Sequence, residues 1–282
     1  MTRPRALLLS AYDARSHRRW RMGLVDAFPR LRWQVLTLPA RHFNWRIRGN
    51  PLSWAMGEPD KLGDGYDLVI ATSMTDLATL RGLSPGLSRA RTIIYFHENQ
   101  FAYPTGGGIP RRLEPCMVTI YGALAADTVI FNSQYNRRTF LDGASALLSR
   151  MPDGVPADVI EAIRKRSRVI PVPLAPKCFA QREHTPCGPF TILWNHRWEY
   201  DKGPERFLHA LRYLSQSGTD FRLNIIGQRF RKVPEAFDTL KREFGPQINH
   251  CGPVDDGDYY DVLAGSQVVV STAIHDFQGL AV

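Results

Sequence analysis

The fold of this chain is limited most by a regular alternation of short apolar runs and helical patterns, which occurs twice along the sequence. In the first half, apolar runs of strand length alternate with stretches in which apolar residues recur at helical spacing. The predicted strands are 5–9, 32–38, 67–71, 92–96, 128–131 and 168–172. The predicted helices are 18–28, 113–126, 133–148 and 157–165. Such alternation is typical of a doubly wound α/β fold with a parallel sheet.

A proline-rich segment separates the two alternating regions. Pro171, Pro173 and Pro176 lie close together, and a polar stretch follows as far as Pro189, which predicts an extended linker. The alternation then resumes. The predicted strands are 191–194, 222–226, 248–251 and 267–271, and the predicted helices are 205–215, 234–244 and 258–263. We therefore predict two Rossmann-like domains, 1–178 and 179–282, with a cleft between them.

The second domain is expected to be incomplete. It contains four predicted strands, whereas an open α/β sheet of this type usually has five or six. The sequence ends at Val282, early in what would be another helix. The chain of 282 residues is nevertheless long enough for two domains that each bury a core.

The positive charge of the chain is concentrated in its first domain. Residues 1–178 contain 25 Lys or Arg and 14 Asp or Glu, a balance of +11, whereas residues 179–282 contain 11 and 13, a balance of −2. Basic clusters with aromatic neighbours occur at 15–21 and 45–48, where Trp20 and Trp45 are candidates for stacking on bases. This pattern favours a polyanionic partner; the alternative is a solvated, arginine-rich surface.

Two other patterns limit the class of protein. No run of about 18 apolar residues occurs, so neither a membrane span nor a stable membrane association is expected. The four cysteines show no C-x-x-C pair and no spacing typical of metal ligands; they are Cys116, Cys178, Cys187 and Cys251. We interpret them as reduced thiols and expect a cytoplasmic protein.

The segment 194–205 is a candidate diphosphate site. It joins a predicted strand to a helix that Pro204 is well suited to begin, and it carries Arg197 and Lys202. A helix N-terminus in this position offers unpaired N–H groups and the positive end of the helix dipole. Two cations beside it would suit the diphosphate of a nucleotide-sugar; the alternative is a turn with two solvated charges.

Three further polar blocks directly follow predicted strands. They are His97-Glu98-Asn99-Gln100 with Tyr103-Pro104, Asn132-Ser133, and His275-Asp276-Phe277-Gln278-Gly279. With the segment 194–205, these blocks resemble the retaining family 4 glycosyltransferases, and more narrowly the tRNA-queuosine mannosyltransferase family. The resemblance runs from Ser16-His17 and Trp45-Arg46 to Gly279, and the block 95–104 is its most specific part. It implies a GT-B fold, with an acceptor side in the first domain and a donor side in the second.

The resemblance implies how the donor, GDP-mannose, is held. Arg197 and Lys202 would bind its diphosphate and stabilise the charge that develops as the nucleoside diphosphate leaves, so neither a metal nor another cofactor is expected. The other implied donor residues are His275, Asp276, Phe277 and Gly279. The family usually has Glu at the position of Asp276, and a second Glu of the same loop would fall beyond Val282. Donor binding by the chain as given therefore stays open.

The resemblance also places the acceptor side and the reacting centre. His97 is implied to contact the transferred sugar, since a histidine can hydrogen-bond a hydroxyl or take a proton near neutral pH. The alternative is a structural histidine at a strand end. The implied acceptor-binding residues are Ser16, His17, Trp45, Arg46, Glu98, Asn99, Gln100, Asn132 and Ser133. Asn132-Ser133 is also expected to cap the helix that follows.

Two motifs imitate ligand sites. Asp256-Gly257-Asp258 has the form of a metal-binding D-x-D, but we interpret it as the cap of the helix that follows and expect no metal. The glycines 106–108 do not open a helix directly, because Ile109-Pro110 intervenes. We interpret them as a mobile loop near the acceptor.

The first functional hypothesis is a retaining transfer of mannose from GDP-mannose to the queuosine of a tRNA. The second keeps the donor chemistry but has a lipid or polysaccharide acceptor. This hypothesis is weakened because no strongly amphipathic, lysine-flanked helix is evident. The third is a non-catalytic remnant that binds tRNA or a nucleotide, which the incomplete second domain would favour.

Overall fold

The chain folds into two compact units, Met1–Pro173 and Leu174–Val282. The computed structural model describes residues 3–63, 65–103, 113–156, 158–179, 189–229, 233–255 and 257–281. The sequence placed the boundary between the domains slightly later, after residue 178.

The first unit is built on a parallel sheet. Its strands are β1 Arg5–Ser10, β2 Arg32–Thr37, β3 Leu68–Thr72, β4 Arg91–Phe96, β5 Thr128–Phe131 and β6 Ser167–Val169, in the order β2-β1-β3-β4-β5-β6. Its helices are α1 Arg15–Ala27, α2 Phe43–Ala55, α3 Leu77–Leu83, α4 Leu113–Ala125, α5 Gln134–Leu148 and α6 Asp158–Arg166. Alternate residues of β3 face opposite sides of the sheet, so Val69 and Ala71 enter the larger core and Ile70 packs with Trp20 and Tyr95. Both faces are therefore covered, as parallel sheets require.

The second unit repeats this plan with a smaller parallel sheet. Its strands are β7 Thr191–Asn195, β8 Arg222–Ile226, β9 Ile248–Gly252 and β10 Val268–Val269, in the order β10-β7-β8-β9. Its helices are α7 Pro204–Gln216, α8 Ala236–Phe244 and α9 Tyr259–Ala264. Trp194 of β7, Phe207 of α7 and Phe237 of α8 meet in its core. The prediction of an α/β fold with two Rossmann-like sheets is confirmed.

The sequence patterns missed two helices of the first unit, α2 and α3. Pro51 lies inside α2 and Gly49 precedes it by two residues, so the segment carries two residues that normally interrupt helices. α3 is only seven residues long, too short for a clear helical period. The helices of the described residues include none with the length and apolar composition of a membrane span.

Candidate active site

The polar blocks singled out in the sequence lie at the carboxyl ends of strands in the two sheets. Ligands of doubly wound folds bind at the carboxyl ends of the strands beside a point where strand order reverses. In the first unit the reversal falls between β1 and β3, and in the second between β7 and β10. Ser73 directly follows β3, His97 follows β4, and His196 follows β7. We describe the two groups of side chains separately, as the His17 cluster and the Lys202 cluster.

The His17 cluster consists of His17, Ser73, His97 and Glu98 in the first unit. His17 is held at both ring nitrogens: Nδ1 lies 2.9 Å from the carbonyl oxygen of Tyr12, and Nε2 lies 3.0 Å from Oε2 of Glu98. The hydroxyl of Ser73 donates to the other carboxylate oxygen, Oε1, at 2.5 Å. Both polar ends of His17 and both oxygens of Glu98 are thus engaged within the chain.

The ring of His97 packs against the hydrogen-bonded side chains of this cluster and against two further aromatic rings. Its ring stacks on that of His17 with the centroids 4.3 Å apart and the planes inclined by 19°. The indole of Trp20 and the ring of Tyr95 complete the enclosure, each with its centroid 4.7 Å away. His97 Nε2 is buried and has no hydrogen-bond partner among the residues that the structure describes. A buried ring nitrogen of this kind is costly unless a ligand or water satisfies it.

Burial and neighbouring charges shift the pKa values of the three titratable residues of the cluster in different directions. Burial lowers the pKa of His97, and the neighbouring charge of His17 adds to this, so the pKa lies well below its usual value. Burial also disfavours the charged form of His17, but the carboxylate of Glu98 outweighs it and raises the pKa. For Glu98, the cost of burial is exceeded by the charge and hydrogen bond of His17, which lower the pKa to about 2. These shifts favour an ion pair of His17 and Glu98 beside a neutral His97.

Hydrogen bonds of three asparagines connect the loop after β4 to the start of helix α5. Asn99 donates to the carbonyl and side-chain oxygens of Asn136 at 3.1 and 2.8 Å and accepts from two backbone N–H groups. Asn132 donates to the carbonyl of His97 at 2.8 Å and accepts from Asn136. Ser133 accepts from the N–H of Asn136, which confirms it as the helix cap. These bonds give Asn99 and Asn132 a structural role and argue against their direct contact with an acceptor.

The remaining acceptor candidates differ in exposure. Ser16 and Trp45 are exposed, and Arg46 is half-buried with its Nε donating to the carbonyl of Pro39. Gln100 is half-buried, and its amide lies 3.9 Å from the sulfur of Met74. Trp45 leans over Gly49, where any Cβ would fall within 2.4 Å of the indole. An exposed indole supported in this way is suited to stacking.

The expectation that Trp20 stacks on bases was wrong. Trp20 lies on the inner side of α1 and is only 8% exposed, since it covers Tyr95 and His97 on one face of the sheet. The helical period of α1 explains this, because Trp20 lies three residues after the buried His17.

The Lys202 cluster of the second unit consists of His196, Asp201, Lys202 and Asp276. The ammonium of Lys202 is buried and lies 3.0 Å from the carbonyl of His275 and 3.1 Å from a carboxylate oxygen of both Asp201 and Asp276. An ammonium has three N–H donors, and here three acceptors surround it. The structure thus brings together three of the predicted donor residues, Lys202, His275 and Asp276.

Two backbone features make this cluster possible. Gly203 ends the short 3₁₀ helix Tyr200–Lys202 with φ of 62°, and a Cβ there would lie 2.3 Å from the carbonyl oxygen of Thr272. The backbone of Ile274 also donates to the carbonyl of Asp201 at 2.8 Å. The turn after β7 and the segment after β10 therefore touch by their backbones, which fixes Lys202 against Asp276.

The other predicted donor residues lie around this contact. Arg197 is half-exposed and pairs with Glu199 at 2.9 Å. Phe277 is buried and meets the His275 ring edge to face at 4.4 Å, and Gly279 has φ of 70°. The sequence did not single out His196 or Asp201. His196 lies 2.9 Å from the hydroxyl of Ser271; burial lowers its pKa, while the carboxylate of Asp276 opposes that shift.

Ser73 was the missed residue of the first unit. Neither its spacing nor its type marks it in the sequence, but it directly follows the third strand in the same way that His97 follows the fourth. Adjacent parallel strands end at the same edge of a sheet, so this position could have been identified. The residues 104–112, which include the glycines 106–108, lie outside the described residues.

The D-x-D motif is described only in part, since Asp256 lies outside the described residues. Asp258 occupies the N-cap position of α9, as predicted, but its side chain makes no capping hydrogen bond. Among the described residues, no group of three or more His, Cys, Asp or Glu side chains is arranged to hold a metal ion. The absence of a metal from the reaction stays a prediction.

Comparison with known proteins identifies the family. The family described as tRNA-queuosine alpha-mannosyltransferase N-terminal matches residues 5–174. A tRNA-queuosine alpha-mannosyltransferase of Drosophila melanogaster is 31% identical over 288 aligned residues, covering 99% of this chain and 76% of that protein. The chain belongs to the tRNA-queuosine alpha-mannosyltransferase family. It is accordingly a glycosyltransferase, as the sequence motifs predicted.

Solved structures agree with this assignment at the level of the fold. Trehalose-6-phosphate synthase OtsA superposes with a TM-score of 0.60 at 15% identity, covering 97% of this chain and 79% of that one. A glycosyltransferase from Rickettsia africae gives a TM-score of 0.52 at 15% identity, covering 98% and 74%. The two parallel-sheet units therefore correspond to the GT-B fold, which confirms the predicted fold class.

Proposed function

We propose that this chain transfers mannose from GDP-mannose to the queuosine of a tRNA, with retention at the anomeric carbon. The observation that carries the proposal is the family match over nearly the whole chain, together with the predicted residues that meet at the carboxyl ends of the strands in each sheet. The acceptor is assigned from the name of the family, and the donor from the resemblance of the motifs. A tRNA acceptor also supports a cytoplasmic location.

The Lys202 cluster supports the donor side of the proposal. Lys202 contacts the carboxylates of Asp201 and Asp276. Arg197, in the same segment of the chain, pairs with Glu199. Of the two carboxylates on Lys202, that of Asp276 is the more exposed, at 37% against 10% for Asp201. We infer that a donor diphosphate takes the place of Asp276 on Lys202, which allows the Asp276 carboxylate to accept from sugar hydroxyls. The cations then stabilise the charge that grows on the leaving phosphate.

The first unit supports the acceptor side. Its positive balance suits the phosphate backbone of a tRNA, and exposed Trp45 offers a ring on which a base can stack. His97 contributes its unpartnered Nε2 at the carboxyl edge of the sheet. We assign His97 to hydrogen bonding of the transferred sugar. No protein nucleophile is invoked, since leaving-phosphate assistance of a front-face attack accounts for retention.

The decisive experiment measures transfer of labelled mannose from GDP-mannose to tRNA that contains queuosine. The same tRNA without queuosine is the acceptor control, and UDP-glucose is the donor control. Label in the queuosine-containing tRNA alone is the expected result. Label in added lipid or polysaccharide would support the second hypothesis. Absence of transfer with intact tRNA binding would overturn the catalytic assignment for this chain.

Binding of tRNA tests the acceptor surface separately from catalysis. Trp45→Ala should weaken tRNA binding by about tenfold, because a stacked base contributes about 1–3 kcal/mol. Tyr213→Ala is the matched control, since Tyr213 is also an exposed aromatic residue but lies on α7 of the second unit. Wild-type affinity should fall steeply with salt. Equal losses in the two variants, or binding that ignores salt, would contradict the assignment.

A further inference from the structure

The hydrogen bonds of His17 fix its protonation state by geometry. The Nδ1 atom faces the carbonyl oxygen of Tyr12 at 2.9 Å, and a carbonyl oxygen can only accept. The Nε2 atom faces Glu98 at 3.0 Å, and an ionised carboxylate can likewise only accept. Both nitrogens must therefore donate, which requires the imidazolium form. His17 itself has no donor left for an acceptor substrate.

Glu98 is held in place by donors on both of its oxygens. The hydroxyl of Ser73 donates to Oε1 at 2.5 Å, while His17 occupies Oε2. Ser73 is almost fully buried, at 1% exposure, so water does not compete for the contact. With one oxygen fixed by Ser73, the carboxylate cannot rotate away from His17 without leaving a buried charge unpaired.

The imidazolium of His17 acts directly on His97. The two rings stack nearly parallel at 4.3 Å, so a second positive charge on His97 would repel the first at close range. His97 also meets Trp20, which does not ionise, and Tyr95, whose hydroxyl is neutral near pH 7 and whose pKa burial raises further. A further carboxylate that acts on His17, that of Asp13, is paired with Arg21 in a two-point contact.

We propose that Ser73 and Glu98 are positioning residues that hold His17 as an imidazolium, and that this ring, together with burial, keeps His97 neutral and in place. His97 then serves the reaction as a neutral hydrogen-bonding group and not as a charged acid. This role of His97 rests on the proposed function, whereas the protonation states belong to the free protein. The two parts can therefore be tested independently.

The first test is NMR of histidine ring nitrogens in ¹⁵N-labelled chain, without substrate, across pH 5.5 to 8. The His17→Gln and His97→Gln variants assign the signals. The expected result is one ring protonated at both nitrogens, assigned to His17, and one neutral ring, assigned to His97, at pH 7. A neutral His17 or a charged His97 at pH 7 overturns the proposal, whatever the enzymatic activity.

The positioning roles are tested by Glu98→Gln and Ser73→Ala. In Glu98→Gln, the amide group can donate to Nε2, so His17 should become neutral at pH 7. Ser73→Ala should lower the midpoint of His17 titration by a smaller amount. Thr75→Ala is the matched control, because Thr75 is a buried hydroxyl two residues away whose contact is to the carbonyl of Leu9. His17 signals that are unchanged in both test variants would contradict the positioning roles.

The kinetic readout connects these roles to the reaction. Glu98→Gln should lower kcat for mannose transfer about 100-fold, as expected when a reacting group is misplaced, and should alter the pH profile of kcat. Thr75→Ala should keep the wild-type profile. If the NMR results hold while kcat and its pH profile stay unchanged, the link from His17 to the reaction is wrong. If wild type transfers no mannose, the proposed function fails and the protonation states still stand.

Discussion

The His17 and Lys202 clusters occupy equivalent places in their sheets but balance their charges differently. In the His17 cluster, one imidazolium meets one carboxylate, and Ser73 satisfies the remaining oxygen. In the second unit, two carboxylates surround Lys202, and Arg197 has a third in Glu199. The His17–Glu98 ion pair thus has all its polar atoms engaged, although Nε2 of the neighbouring His97 lacks a partner among the described residues. The second unit instead holds more negative than positive charge around its cations.

This difference indicates different roles for the two clusters. A closed ion pair that is buried and hydrogen-bonded on every side sets the orientation of its neighbours. A cation whose partners include the half-exposed Asp276 can exchange that partner for an incoming anion. The ion pair of the first unit is closed, whereas the cation of the second can change partners, and variants that remove one partner at a time test this difference.

The largest effect is expected for Lys202→Met. Loss of the ammonium should weaken binding of GDP-mannose at least about 100-fold. It should also lower the free energy of unfolding by about 3–5 kcal/mol, because Asp201 becomes an unpaired buried charge. Calorimetric titration and urea unfolding measure the two effects. The double variant Lys202→Met, Asp201→Asn is the control: it should recover stability but not donor binding, and recovery of both would remove Lys202 from the donor site.

The second effect is the pH dependence of the His17–Glu98 pair. The lowered pKa of Glu98 adds stability above its unfolded value of 4.5, which is lost as pH falls toward about 2. The raised pKa of His17 adds stability below its unfolded value of 6.5, which is lost as pH rises through the folded value. The stability difference between wild type and Glu98→Gln, about 1–3 kcal/mol, should therefore be largest between pH 4.5 and 6.5. Urea unfolding across pH 3 to 9 measures it, and a difference independent of pH would contradict the ion pair.

The smallest effect separates two arginines that look alike on the surface. Arg197 and Arg212 are 48% and 47% exposed, and each pairs with a glutamate. Either change to alanine should alter the free energy of unfolding by less than about 1 kcal/mol. Arg197→Ala should nevertheless weaken GDP-mannose binding about tenfold, equivalent to about 1.4 kcal/mol, while Arg212→Ala should not. Unchanged affinity in Arg197→Ala would exclude that residue from the phosphate contact.

The strands and most helices could be predicted because their patterns are local. The apolar run from Ala6 to Leu9 predicts a buried strand without any knowledge of its neighbours, and Ser133 predicts the start of α5. Helix α2 escaped prediction because its stability comes from packing that outweighs Pro51. Trp20 was misplaced because a basic neighbourhood in the sequence does not reveal which way one residue of a helix faces.

The site could be predicted as a set of positions but not as a set of partners. Lys202 and Asp276 were both assigned to the donor, yet their contact with each other depends on the adjacency of β7 and β10, which only the sheet order reveals. Glu98 was expected to read the acceptor, and Ser73 attracted no attention. Their hydrogen bond follows from the alignment of strand ends, a property of the tertiary fold.

The backbone contact at Gly203 has a consequence for the order in which the second unit assembles. Strands β7, β8 and β9 pair in succession along the chain. Strand β10 follows β9 in sequence but pairs with β7, so the chain must cross back over β8 and β7 to form this pair. Contacts between residues far apart in sequence carry a larger loop-closure cost and form late. The Lys202–Asp276 contact and the approach of Thr272 to Gly203 are of this kind. The contacts that form the proposed donor site should thus be the last to form during folding, after the rest of the second sheet has become stable.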